Sequence, residues 1–361
     1  MVLTILRWYQ NNMIQRRSFL QATVASLALG SCANPPPLIK KLPEPSQVQK
    51  SARRLAPSSV GILRAKSYAD DLFAILKENI DLFNTADFKG KFLILKPNMV
   101  ECPAGKPVTT SPEVLKAVIK LVDYLGAAKI AVAEGPGHMR DTEAILAATG
   151  IGKACGEMAV PFIDLNLDDV IKVPIKESFA EVDHYFLPKT ILEADGLISL
   201  PKLKTHHWVG MTAAMKNLFG LVPGRKYGYP KNFLHFKGIP QCILDLNRLV
   251  QTKLSVVDAI VAMEGDGPIN GTPREMGLMI VGQDPAAVDA TCARIIGFEI
   301  DELNYIQAAG QVIGNVDQSE IKLTGVPLDE VKTQFKRPIT YLKDKQLSAK
   351  LLYESERSAG S

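Results

Sequence analysis

Cysteine is scarce in this chain and badly spaced for a framework. Five cysteines stand among 361 residues, at 32, 102, 155, 242 and 292, and no two form a Cys-x-x-Cys pair. That spacing excludes a disulfide-rich scaffold and argues against a cysteine-ligated zinc or iron–sulfur centre. Past the N-terminal leader, no apolar run approaches the roughly 18 residues that mark a membrane-spanning helix. Lysine- or arginine-rich blocks are missing too. The net charge is only +4 and part of it falls in the leader, so nothing suggests nucleic acid as a partner. Neither Gly-x-Gly-x-x-Gly nor Gly-x-x-x-x-Gly-Lys occurs, which disfavours a standard dinucleotide site or P-loop. Neither His-Glu-x-x-His nor His-x-x-x-His occurs either.

The N-terminus is informative. Arg16-Arg17-Ser18-Phe19-Leu20 resembles a twin-arginine export signal, and an apolar stretch over 22–29 follows it. Leu29-Gly30-Ser31-Cys32 resembles the lipobox of bacterial lipoproteins, in which the cysteine is acylated. The expected organisation is a signal peptide with lipobox over 1–32 and a Pro-rich tether over 33–57. An α/β domain over 58–340 and a peripheral, charged tail over 341–361 complete it. The expected partners of the leader are the twin-arginine export machinery and, through a lipid on Cys32, the membrane. The expected location is the periplasm or the outer face of that membrane. Either Met1 or Met13 could be the start. Proteins exported folded often acquire a metal or cofactor first, which is what the signal implies rather than what composition shows.

The composition, 47% hydrophobic and 22% charged, suits a globule. Without the leader roughly 300 residues remain, enough for one large or two medium domains. Short apolar strands are predicted over 60–63, 92–95, 129–133, 161–165, 195–200, 254–263 and 278–281. Helices are predicted between them, over 68–83, from Ser111-Pro112 to Gly126, over 142–148, and from Asp284-Pro285 to Gly297. Ser or Asp before Pro is a strong helix start, and Gly a strong stop. Strands that are apolar almost throughout, alternating with helices, indicate an α/β fold: a mainly parallel sheet flanked by helices, of the doubly wound type. Cys242 and Cys292 fall in apolar helical patterns and are read as core, whereas Cys102 sits in a Pro/Gly-rich loop and is read as exposed.

In such sheets ligands bind beyond the carboxyl ends of the strands. Read in order, those ends carry Lys96-Pro97-Asn98, Glu134-Gly135-Pro136-Gly137-His138 and Asp164-Leu165-Asn166. They continue with Pro201-Lys202-Leu203-Lys204-Thr205-His206-His207 and Glu264-Gly265-Asp266-Gly267-Pro268. Five polar ends in succession predict one shared cleft. Asp164, Asp258, Glu264, Asp266 and the imidazoles of His138, His206 and His207 could serve a metal. Each histidine has the plainer alternative of a loop residue bonded to backbone. Lys96, Lys202, Lys204, Lys216 and Arg225 could recognise a carboxylate or phosphate, or simply reach into solvent.

These motifs, together with Thr110-Ser111-Pro112-Glu113, Lys216-Asn217-Leu218-Phe219-Gly220, Asp258-Ala259-Ile260 and Asp284-Pro285-Ala286-Ala287-Val288-Asp289-Ala290, are similar to the bacterial and archaeal domain-of-unknown-function family numbered 362. The resemblance covers 58–300 and implies a fold and a site, not a reaction. Some members carry an appended ferredoxin-like segment with two cysteine clusters, and this chain lacks those clusters.

The expected function is a metal-assisted enzyme acting on a small anionic substrate. The expected metal set is His206, Asp258, Glu264 and Asp266 around a divalent ion. Lys96, Asn98, Lys202, Lys204 and Lys216 would bind the substrate, and His207 and Asp266 would be catalytic. A periplasmic module that binds or delivers a metal or small anion without chemistry is the alternative. Lys202 and Lys204, two apart in a strand, are expected on one side, in one cavity with His206 and Asp266.

Overall fold

The computed structural model describes residues 56–137, 141–339 and 341, all within one unit, Pro45–Ser361. The signal, Cys32, most of the tether, His138 and nearly all of the tail lie outside the described residues.

Twelve strands are described. They are β1 (Ser58–Arg64), β2 (Phe92–Pro97), β3 (Lys129–Glu134), β4 (Phe162–Asp164), β5 (Val170–Pro174), β6 (His184–Pro188), β7 (Gly196–Leu200), β8 (Lys202–His206), β9 (Gly210–Thr212), β10 (Thr252–Glu264), β11 (Thr272–Gly282) and β12 (Ile321–Gly325). The main sheet runs β12-β1-β11-β10-β7-β2-β3-β4. Neighbours from β10 through β4 are parallel, β1 is parallel to β12, and β11 is antiparallel to both β1 and β10. Strand β8 continues the chain of β7 past Pro201 and pairs with both β10 and β9. Strands β5 and β6 form a separate hairpin.

Alternation of side chains explains why the sheet is covered on both faces. In β2, Ile94 enters one core while Leu93 and Leu95 enter the other. In β7 and β10, Leu197, Val257 and Ala259 belong with Ile94, whereas Ile198, Leu254 and Val256 belong with Leu93. A strand apolar at every position can satisfy two cores at once. Helices Ile239–Leu249, Pro285–Ile295 and Asn304–Val312 contribute to the first core. Helices Leu72–Glu78, Pro112–Tyr124 and Ile151–Glu157 contribute to the second. The mainly parallel α/β arrangement is as expected.

Local starts and stops follow the residues named in advance. Ser111 Oγ accepts from Glu113 N–H, and Asp284 Oδ1 accepts from Ala286 and Ala287 N–H, each just before a proline-initiated helix. Gly297, at φ +82°, ends the Pro285–Ile295 helix, where a Cβ would be strained. The predicted 68–83 helix is shorter, Leu72–Glu78 with a 3₁₀ turn after it. Asp71 caps it by accepting from Ala74 N–H, so the chain before Leu72 is turn rather than helix. Among the described cysteines Cys102 is exposed and Cys155, Cys242 and Cys292 are buried and free.

Candidate functional site

The carboxyl ends of β2, β3, β8 and β10 and the segment after β9 surround a cavity of about 340 Å³. Lys96 and Asn98 line it from β2, Glu134, Gly135 and Gly137 from β3, and Lys204, His206 and His207 from β8. Thr212 ends β9, Lys216, Asn217 and Phe219 follow it, Pro268 and Asn270 follow β10, and Lys231 and His235 close one side. Trp208, Met99 and Ile269 add apolar wall.

Positive charge gathers here with little to answer it. Lys96 is fully buried and ion-paired with buried Glu134. Burial pushes its ammonium down from the ordinary lysine range, with Glu134 opposing. Lys204 is fully buried, donates to the Val108 carbonyl at 2.8 Å, and has no carboxylate partner among the described residues. Burial, then Lys216 and Lys202, hold it well below the ordinary range. Lys216 lies 4.4 Å from the Phe219 ring centroid, again with no carboxylate partner among the described residues. Burial and the neighbouring Lys96 push it down to about 8. Lys231, in a left-handed conformation at φ +68°, donates to the carbonyls of Gly135 at 2.7 Å, Gly220 at 3.1 Å and Phe219 at 3.3 Å. Burial pushes it down to about 7. Four lysines thus line the cavity, with Glu134 the one carboxylate among the described lining residues. Each would regain its proton more readily beside an anion.

The two histidines carry opposite tautomers when neutral, set by the backbone. His207 Nδ1 is 2.9 Å from the Gly267 carbonyl, which can only accept, so Nδ1 holds the proton and Nε2 the lone pair. His206 Nδ1 accepts from Trp208 N–H at 3.2 Å, so its proton sits on Nε2. The ring centroids are 5.0 Å apart. Burial, then the charge of Lys216, holds His206 well below the ordinary histidine range. The wall therefore presents one imidazole donor and one imidazole acceptor side by side.

Supporting residues fix this wall. Asn217 donates to the Lys96 carbonyl at 2.9 Å and to Ser199 Oγ at 3.1 Å, and accepts from Asn98 Nδ2 at 3.2 Å. Buried Asp289, from the Asp284-Pro285 motif, accepts from Ala214 N–H at 2.6 Å and Met215 N–H at 3.3 Å. It thereby seats the short helix Ala214–Asn217 that carries Lys216. Burial pushes its carboxyl up to about 8.

Of the expected residues, Lys96, Asn98, Lys204, Lys216, His206 and His207 do meet in one cavity. Lys202, Asp258, Glu264 and Asp266 do not line it. Lys202 is fully buried against Asp258 at 2.5 Å and Tyr68 at 2.8 Å. Asp258 also accepts from Tyr68 Oη and from Ser111 N–H. The carboxylate that relieves Lys202 is therefore Asp258, not Glu264 or Asp266. Glu264 accepts from Lys336 N–H and Asp266 from Ile339 N–H, so both tie down the C-terminal segment. The four expected metal ligands are dispersed, and among the described residues no group of three or more His, Cys, Asp or Glu could hold a metal ion. His206, Asp258, Glu264 and Asp266 therefore do not form a donor set for a metal ion. Lys231, His235 and Thr212 are cavity residues that sequence reasoning missed. Only the Gly228-Tyr229-Pro230-Lys231 turn marked the first of them.

Residues 93–294 match the family described as Domain of unknown function (DUF362). A thylakoid-associated protein of Synechocystis sp. is 32% identical over 257 residues, covering 66% of this chain and 74% of that protein. Among solved structures, the lactate racemase apoprotein of Thermoanaerobacterium thermosaccharolyticum gives a TM-score of 0.41 at 15% identity, over 65% of this chain and 57% of that one. A protein of Thermotoga maritima gives 0.38 at 12%, over 64% and 59%. The chain spans less than two thirds of either solved structure. With both the motifs and the matched span in agreement, the chain belongs to the family of unknown function DUF362.

Proposed function

We propose that the cavity binds a small molecule bearing a carboxylate or phosphate, and that the His206–His207 pair moves a proton on it. The observation that carries this reading is the imbalance of four buried or half-buried lysines against Glu134 alone. Lysines held below their ordinary range by burial, and by one another, are prepared to accept a counter-charge. Lys204 and Lys216, which lack carboxylate partners, would take the anion. Lys96 and Lys231 would hold the walls. His207, with its Nε2 lone pair, would act as base and His206, with Nε2–H, as the hydrogen-bond donor. Six lining groups brought together from β2, β8, the Ala214–Asn217 helix and the turn at Lys231 suit orientation of a substrate as well as binding, which favours chemistry over simple carriage.

The test is solvent-deuterium exchange into a panel of small carboxylates and alkyl phosphates, followed by NMR. Incorporation with the native protein and its loss in His207→Gln, with anion affinity retained, is expected. Anion binding with no incorporation across the panel would leave a binding module instead.

For location, we propose twin-arginine export and a lipid anchor at Cys32. The order of Arg16-Arg17, apolar stretch and Leu29-Gly30-Ser31-Cys32 supports it. Among the described residues no helix is long and apolar enough to cross a membrane. A lipid on Cys32 would be the means of attachment, a reading in keeping with a relative named for its association with thylakoids.

A further inference from the structure

Two residues that line the cavity each hold a buried polar atom without a hydrogen-bond partner: Asn98 its Oδ1 and Thr212 its Oγ1. Asn98 is 8% exposed and Thr212 3%. Such atoms are costly when unmet, so their presence in a cavity wall points to something that meets them.

The orientation of Asn98 follows from its neighbours. The Lys96 carbonyl can only accept, so Asn217 must present its NH₂ there. The Oδ1 of Asn217 is left to accept, and it does so from Asn98 Nδ2. Asn98 therefore turns its NH₂ towards Asn217, and the atom left without a partner is its carbonyl oxygen, an acceptor. An oxyanion cannot satisfy it, because an oxyanion has no donor. A hydroxyl can. An ammonium would donate equally well, but the surrounding lysines repel it. Thr212 sits opposite Lys204 in the β8–β9 register, which puts the two side chains on one face of that strand pair.

We infer that the ligand is a hydroxylated oxyanion, a hydroxy-carboxylate or hydroxyalkyl phosphate. Its charged end lies at Lys204 and Lys216, and its hydroxyl donates to Asn98 Oδ1 and accepts from Thr212 Oγ–H. This rests on the anion reading above and narrows it.

Binding of matched pairs tests it: glycolate against acetate, and 2-hydroxyethyl phosphate against ethyl phosphate, titrated into the full chain. The hydroxylated member of at least one pair is expected to bind about tenfold tighter, and which pair does so tells carboxylate from phosphate. Thr212→Val removes a hydroxyl that makes no hydrogen bond in the folded chain, so it should fold normally and reduce the preference. Asn98→Ala should abolish it. Equal affinities within both pairs overturn the inference while leaving the anion site standing. So does a preference that survives Thr212→Val and, where that variant folds, Asn98→Ala. Failure of all four ligands to bind overturns the anion reading itself.

Discussion

Replacing Lys216 by Met should make the ligand-free protein more stable near neutral pH, and the gain should shrink as pH rises. Lys216 is held at about 8 in the folded chain, against 10.5 for an ordinary lysine. Burial is the main cause and Lys96 the second. Between those two values the unfolded chain binds more protons than the folded one, so stability rises with pH through that window. Below about 8 the full penalty of a charged, unpaired lysine is present. It is removed progressively as pH climbs towards 10.5. At about 1.4 kcal/mol per unit the whole penalty is on the order of 3 kcal/mol. Met fills similar space without charge, losing only the contact with the Phe219 ring at 4.4 Å. The variant should therefore gain about 2 kcal/mol at pH 7, once the roughly 1 kcal/mol of cation–π attraction is deducted. Going from pH 7 to pH 9, its advantage should narrow by about 1 kcal/mol, roughly 2–4 °C in Tm for a domain of this size. Urea or thermal unfolding at the two pH values measures it. An advantage that is absent, or the same at both, would refute the claim that Lys216 is a desolvated cation without a counter-charge.

Gly267→Ala should destabilise, because a Cβ there would lie 2.0 Å from the Thr205 carbonyl oxygen, a backbone atom that cannot swing away. A loss of about 1–3 kcal/mol in denaturant unfolding is expected, and an unchanged midpoint would contradict the close approach. Asp289→Ala leaves Ala214 and Met215 N–H unmet, which should cost about 1–3 kcal/mol and weaken anion binding through Lys216. Retained affinity would show that the Ala214–Asn217 turn does not depend on it. Arg16→Lys with Arg17→Lys should leave precursor in the cytoplasm, and Cys32→Ser should abolish fatty-acid labelling. Normal export or unchanged labelling would remove the corresponding assignment.

The seven predicted strands were legible because each is an apolar run long enough to read, whereas β5, β6, β9 and β12, short or interrupted by polar residues, were not read. The helix starts at Ser111-Pro112 and Asp284-Pro285 were legible because capping is local chemistry. The cavity was foreseeable from strand ends alone, since parallel strands deliver their carboxyl ends to one edge. What sequence could not supply was the partner of each charged group. Lys202 and Lys204 look equivalent in an alternating strand, yet Asp258 on neighbouring β10 takes the first and leaves the second. Asp258, Glu264 and Asp266 read as metal ligands because carboxylates at strand ends often are. Their actual partners, Tyr68, Ser111, Lys336 and Ile339, come from segments far apart in the chain. Lys231 and His235 sit at and in a five-residue helix too short for periodicity to mark a buried face, and only the fold brings Lys231 to Gly135 and Gly220 and His235 to Phe219.

Binding of small oxyanions by calorimetry, native protein against Lys204→Met and Lys216→Met, at pH 7 and pH 9, tests the cationic cavity most directly. The native protein should bind acetate or phosphate, or their hydroxylated counterparts, more tightly at pH 7 than at pH 9, because the anion needs Lys216 protonated and that group sits at about 8. Binding should be accompanied by proton uptake, visible as a heat that depends on the buffer, and each substitution should weaken it by about tenfold or more. Affinity that ignores pH and survives both substitutions would contradict an anion site built on these lysines.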